Sequence, residues 1–557
     1  MATVDVRGYV LKYRRVCSAL RRHTLSAYIS AWASALLVQT VMGNAKASEC
    51  RDGQQVQTPA LFLYVTILIN LRIPPVLGAR RQKKKQYNAM KTMYLKSLFT
   101  AICCAIIPVC VSAQFSGSGS GTKDDPYRIF NADQLNQVRN FVGKTDVYFS
   151  LEADIDMTQW IAENNPSQGW LPIEGNSVVK TLDFNGNGHT IKNLWINRPN
   201  SDYVGLFGNI ATKGRIYNLK LENANYVGKD YVGGIIAYSS YMNLESCDFN
   251  GKISGNDHLG GILGYIDVRD GIKIDNCFSR CIISGNDYAG GIIGGVRCTY
   301  DEAAMKSQSI KISGCISYNK ISGNSYIGGI IGSAYTTKSS EIYVNSCYSY
   351  NAIKGKNNLG GITGFYNRYN SSIHSYYGHI SNCYTNGFII GDSNIGGIAG
   401  YFDGHEGIGI TDCYANFNNI QGNDYVSGII GNATSDDPYY SIKNNVAINK
   451  RISSINNLFR VGCNIENTLD YKNLAWTLTQ MFLDGVKQPI PDDSEENGTN
   501  TGLSTLKLQA TYEGLGWDFA DTWQIEETES FPYFKNQTAP PYFQQTLKKG
   551  DTNLSGQ

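Results

Sequence analysis

DYVGGIIAY (Asp230 to Tyr238), DHLGGILGY (Asp257 to Tyr265) and DYAGGIIGG (Asp287 to Gly295) are three copies of a phrase that recurs eight times between Asp202 and Gly431. The other copies are DYVGLFG at Asp202, SYIGGIIG at Ser325, NNLGGITG at Asn357, SNIGGIAG at Ser393 and DYVSGIIG at Asp424. The glycine after the small apolar residue is Gly205, Gly233, Gly260, Gly290, Gly328, Gly360 or Gly396, with Ser427 in the last copy; the steps are 28, 27, 30, 38, 32, 36 and 31 residues. A period that varies only by insertion marks structural units stacked in one direction. The unit from Tyr231 reads VGGIIAY, a turn, LESCDF, a one-residue break and GKISGND. Three strands and three corners make one coil of a parallel β-helix, each coil rising about 4.8 Å. A β-propeller blade needs about 40–45 residues, more than the shortest step of 27. The expected fold is therefore all-β, a right-handed parallel β-helix, with SGND at Ser254 and Ser284 and SGNS at Ser322 supplying corners of positive φ.

Working outward, Asn131-Ala132-Asp133-Gln134 offers a cap ahead of Leu135, Val138 and Phe141 at helical spacing, so one short N-terminal helix is expected. The chain of 557 residues has 58 Gly, 37 Tyr and 14 Pro and is 17% charged, which describes an ordered, aromatic-rich protein. Its net charge of +2 hides an asymmetry: residues 1–113 carry 16 Lys and Arg against three acids, leaving 33 basic and 44 acidic residues beyond. An acidic body argues against a nucleic-acid partner. Met90 to Ala113, with Lys91, Lys96, an apolar run from Leu98 and Val111-Ser112-Ala113, reads as a signal peptide cleaved after Ala113. A lipid anchor at Cys110 competes with this, although Ile107-Pro108-Val109 lacks small residues. Residues 1–89 then read as a mis-called start or a leader, 114–200 as an N-terminal cap and first coils, 201–447 as the repeat helix, and 448–557 as closing coils with a disordered tail.

Stacked coils turn recurrent residues into columns. Cys247, Cys277, Cys315, Cys347, Cys383 and Cys413 form one, with Leu219 and Asn445 in the same slot. Leu in that slot implies an interior position, where free thiols act as small apolar fillers, and like-on-like register suits disulfides poorly. A second column, from Val204 and Val232 to Val426 with Ile235 to Ile429 three residues on, is core. The third is Tyr203, Tyr231, His258, Tyr288, Tyr326, Asn358, Asn394 and Tyr425, which strand alternation turns outward. Tyr231, Tyr288 and Tyr326 there could stack on sugars, or merely stiffen the sheet.

A catalyst would need paired carboxylates or a metal cluster on one face. Asp230, Asp257, Asp287 and Asp424 instead recur at one corner as turn residues, and no histidine sits in a metal-binding spacing. No cofactor, metal or catalytic residue is expected. Insertions at Val296 to Gln308, Ser333 to Ser340, Phe365 to Gly378 and Tyr401 to Gly407 are the places for a unique site. The third packs Tyr366, Tyr369, His374, Tyr376 and Tyr377 together and is the expected ligand contact.

The GGIIG and GGILG copies resemble the GLUG motif of bacterial secreted and surface proteins. LEADIDM, Trp170 to Ile173 and FNGNGHTIKNLWINR resemble the segment preceding such repeats, and GWDFADTWQIEETESFPYF (Gly516 to Phe534) the one closing them. The resemblance implies an adhesin-like protein. Together with the missing catalytic constellation and the export signal, the expected protein is a monomeric, non-enzymatic one, exported to the cell surface or beyond, that binds an extracellular glycan or a host or bacterial surface protein. A polysaccharide-acting enzyme and a structural spacer are the alternatives.

Overall fold

The computed structural model describes residues 115–301, 306–337, 340–369, 378–403, 408–434, 441–465 and 472–537. The expected leader (1–89) and signal peptide (90–113) lie outside them. The described chain is a parallel β-solenoid of about nine turns. In the coil that begins at Val232 the strands are Val232–Gly233, Ile236–Ser239, Met242–Glu245 and Asp248–Ser254. Each pairs in parallel with its counterpart one coil on: Val232 lies opposite Leu259, Ile236 opposite Leu263, Leu244 opposite Ile274 and Asp248 opposite Phe278. The first three strands build sheets of eight, nine and eleven strands, and the fourth builds a longer ladder.

Four strands per coil, not three, is a correction that comes from the motif itself. VGGIIAY turns a corner at Gly234-Ile235 instead of running straight. A Cβ on Gly233 would stand 1.9 Å from the Ile236 carbonyl oxygen, and one on Gly234 2.2 Å from that of Gly261. The paired glycines exist because backbone meets backbone there. Behind the corner the second column is fully buried, from Val204 and Val232 to Val426 and from Ile235 to Ile429. Burying one such side chain contributes about 1.5–3 kcal/mol, so these rows dominate the stability of the rod.

Positive φ also falls elsewhere than expected. Gly255, Gly285 and Gly323 of the SGND and SGNS corners are not left-handed; at Gly285 the Leu259 side chain, 2.2 Å from a Cβ, excludes anything larger. One left-handed row is the residue before the cysteine column, Asn218, Ser246, Asn276, Gly314, Ser346, Asn382, Asp412 and Asn444, with φ between 50° and 62°. The other is the tyrosine column, from Tyr203 at 62° to Tyr425 at 50°. His258, Asn358 and Asn394 replace tyrosine in that column, and these are residue types that tolerate the left-handed region. The aspartates hold the adjacent corner: Asp257 Oδ1 accepts from the Asp287 amide at 3.1 Å, and Asp287 Oδ1 from the Ser325 amide at 2.9 Å.

The N-terminal helix is Ala132–Gln137, with Asn131 Oδ1 accepting from the Gln134 amide. A second helix, Thr158–Asn164, begins where Asp156 accepts from the Thr158 amide at 2.9 Å; short polar runs hid it from periodicity. The cysteine column runs up the interior. The Phe278 amide donates to Cys247 O at 2.8 Å and the Ile316 amide to Cys277 O at 2.9 Å, and the thiols donate to carbonyls, as Cys413 Sγ does to Thr411 O at 3.1 Å. All nine described cysteines are free and buried. Burial pushes the Cys281, Cys298 and Cys463 thiols up to about 12 and lifts Cys347 and Cys383 well above the ordinary range. All nine are buried away from solvent, so none should label with an aromatic disulfide reagent at pH 8 in the folded protein, and all should label in denaturant. Native labelling of Cys315 or Cys347, read by peptide mass, would contradict a dry interior column.

Candidate functional site

The fourth strands are long and bent, and the bend makes a groove. In the strand pair Ile316–Ser317 and Lys320–Ser322 the break falls at Tyr318-Asn319. Asn319 Oδ1 accepts from the Cys281 amide at 2.6 Å while its Nδ2 donates to Gly291 O at 3.1 Å. One coil on, Asn351 Oδ1 accepts from the Asn319 amide and its Nδ2 donates to Gly329 O at 3.1 Å. Both asparagines are buried. Each therefore ties the bent strand of the preceding coil to a glycine corner of the repeat motif, and the concavity is built by the same element that defines the repeat.

The groove has a volume of about 700 Å³ and crosses six coils. Asn223 and Asn225 open it on Lys220–Val227, followed by Asn250 and Lys252 on Asp248–Ser254 and by Arg280 and Ile282 on Phe278–Ser284. Tyr318 and Lys320 come next, then Tyr350 on Tyr348–Lys354 and Phe388 on Tyr384–Ile390. Five rises make it about 24 Å long. Register places Lys252 opposite Ile282, Ile282 opposite Lys320, and Ala352 opposite Phe388, so alternation keeps these side chains outward. Lys252, Arg280 and Lys320 are exposed, and among the described residues none of them joins an ion pair. No aspartate, glutamate or histidine is among the lining residues. Asp248 lies nearby, its carboxyl raised by burial while Arg280 pulls it the other way.

One flank of the groove meets the closing segment. Tyr348, Tyr384 and Tyr414 form an outward row whose rings stack at 4.1 and 5.1 Å, and Trp517, Trp523 and Phe534 pack onto it. Tyr414 Oη donates to Pro532 O at 2.7 Å, and Trp517 Nε1 donates to Asn444 O at 2.9 Å. Gly516 to Phe534 thus straps the outside of the rod instead of adding a coil, and Tyr318 and Tyr350 pack against the same aromatic cluster.

The residues expected to bind ligand are placed differently. Tyr366 is a correction: only 1% exposed, it faces inward opposite Ala334 and packs on Phe402 at 5.2 Å, because Phe365 takes the outward position of that strand. Tyr369 ends the strand Thr363–Tyr369, and His374, Tyr376 and Tyr377 lie outside the described residues. Tyr231, Tyr288 and Tyr326 are half-buried in one continuous stack. Tyr231 lies on His258 at 4.8 Å, His258 on Tyr288 at 4.6 Å and Tyr288 on Tyr326 at 4.7 Å, with ring planes within 17°. The rings cover much of one another's faces, and the stack stiffens the corner and its left-handed backbone. Burial lowers the His258 pKa. His189, in the turn after Asn185, sits 3.4 Å from Asp154, whose other oxygen is 3.2 Å from Lys192. The groove residues escaped sequence reading because their types change from coil to coil and form no column. The break after LESCDF was their one visible sign.

Among the described residues no group of three or more His, Cys, Asp or Glu could hold a metal ion, and no helix is long and apolar enough to cross a membrane. No family model matches the chain. Halomucin of Haloquadratum walsbyi is 34% identical over 151 residues, 26% of this chain and 2% of that protein. A "Putative Gly-rich membrane protein" of Evansella cellulosilytica is 42% identical over 110 residues, 20% of this chain and 12% of that one. The chain thus spans a small fraction of the curated relatives it matches. A solved structure of "a putative immunoglobulin A1 protease from Bacteroides ovatus" aligns over 76% of this chain and 95% of that one, at 20% identity and a TM-score of 0.32.

Proposed function

We propose that this chain is an exported, non-enzymatic binding rod of the cell surface that holds a glycan in the groove of its fourth face. The groove carries the reading: amides, cations and aromatic rings converge along about 24 Å of a rigid surface, and no carboxylate pair for glycoside cleavage lines it. Surface placement draws on the expected signal peptide and on likeness to halomucin and to a Gly-rich membrane protein. The GLUG resemblance of the repeats points the same way.

A panel of immobilised glycans, with retention and product release followed together, tests this. Ile282 is 44% exposed within the groove, so Ile282→Trp fills it without removing a buried contact. Retention should fall about tenfold or more for Ile282→Trp and for Tyr350→Ala, with melting of Ile282→Trp unchanged. Product release by the wild type would establish an enzyme instead. Retention indifferent to both substitutions would move the site off the groove.

A further inference from the structure

We infer that the groove holds a polyuronate, an extended polymer with one carboxylate on every sugar ring, lying along the axis of the rod so that successive rings meet successive coils. This rests on the groove being the binding site and adds the charge, periodicity and direction of its ligand.

Charge contrast is the first argument. From residue 114 onward the chain has 33 basic and 44 acidic residues, yet the groove is lined by Lys252, Arg280 and Lys320 and by no carboxylate. Cations that join no ion pair among the described residues and gather in one concavity of an acidic protein are complementary to an anion, and complementarity sets specificity and encounter rate.

Spacing is the second. The cations occur one per coil on three consecutive strands, Asp248–Ser254, Phe278–Ser284 and Lys320–Ser322; Lys252 and Lys320 share one row with Ile282 between them, and Arg280 stands two residues back in the row of Asn250. Coils rise by about 4.8 Å, close to the advance of one pyranose ring in an extended chain. A polymer with a carboxylate on each ring, laid along the axis between the two rows, meets one cation per ring on alternating sides. Laid across the axis, along a strand, it would meet only one.

The flanks supply the third. Asn223, Asn225 and Asn250 at one end offer amide donors and acceptors suited to sugar hydroxyls. At the other end Tyr318, on the coil of Lys320, and Tyr350 and Phe388, on the next two coils, present the parts of their rings that line the groove. Exposed Ile282 lies between the cations and can meet the C–H face of a ring.

Polygalacturonate and its fully methyl-esterified form share one backbone and differ in charge, so they are the probes, with dextran sulfate as the irregularly charged comparison and the full chain as receptor. Expected are binding of polygalacturonate that weakens steeply with added salt, at least about tenfold weaker binding of the ester, and weaker binding of dextran sulfate. The triple variant Lys252→Gln, Arg280→Gln and Lys320→Gln alters only exposed side chains and should lose at least about tenfold in affinity for polygalacturonate without a change in melting. Equal binding of acid and ester, tighter binding of dextran sulfate, an unaffected triple variant, or no binding of polygalacturonate would each overturn the inference. Binding of neutral glycans that Ile282→Trp abolishes would leave the groove reading standing while this one fell.

Discussion

Gly328→Ala should cost about 4 kcal/mol or more, or prevent folding outright, although it adds a single methyl group. That Cβ would lie 1.8 Å from Ile331 O and 2.7 Å from both Ile331 C and Gly364 N. All three are backbone atoms of the same or the next coil, held by the Ile331 to Thr363 register, and none can swing away as a side-chain tip would. Overpacking ordinarily costs about 1–3 kcal/mol when neighbours relax; here relaxation means parting two coils. Gly328 has no positive φ, so the effect is steric alone. Gly271→Ala is the control, because its nearest neighbour is Ser309 Oγ at 3.9 Å, and its effect should stay within about 1 kcal/mol. Chemical denaturation followed by circular dichroism compares the two. A Gly328→Ala protein with a wild-type midpoint would mean that the coils are not packed this closely.

Asn351→Leu is expected to be nearly as damaging, at about 4 kcal/mol, and to deform the groove as well. The substitution leaves the Asn319 amide and the Gly329 carbonyl without their partners in a buried setting. It also removes the contacts to Ser317 and Ser349. A buried unsatisfied polar group costs about 1–3 kcal/mol, and two are created. Asn351→Asp keeps the acceptor for Asn319 and should lie between the two. Melting temperature reads the stability and retention of a groove ligand reads the shape. Were Asn351→Leu as stable as the wild type, the bend would be held by the strands alone and not by the amide.

The two substitutions probe one construction from opposite ends, because Asn351 donates to the glycine next to Gly328. Repeat motif and groove floor are therefore mechanically joined. Extra volume at the corner presses on the bend, and a lost amide at the bend frees the corner.

Columns were legible because stacking converts equal spacing along the chain into contact in space. Val232 and Leu259 are 27 residues apart and directly opposed, and the buried free cysteines follow from the same rule. The number of strands per coil was not legible: Gly-Gly reads as weak strand, and only the carbonyl facing each glycine shows that the chain turns there. Tyr366 illustrates the same limit for sites. A cluster of aromatic letters in an insertion looks exposed, yet one residue of register decides between solvent and core.

From residue order alone came the direction of stacking, the repeat length, the core columns and the N-terminal cap, since each depends on periodicity or on neighbours a few residues apart. The groove, its three cations and the strap of Gly516 to Phe534 across the outer tyrosines depended on the folded chain. Lys252, Arg280 and Lys320 share no motif and are 28 and 40 residues apart; only winding the chain into coils brings them onto one face.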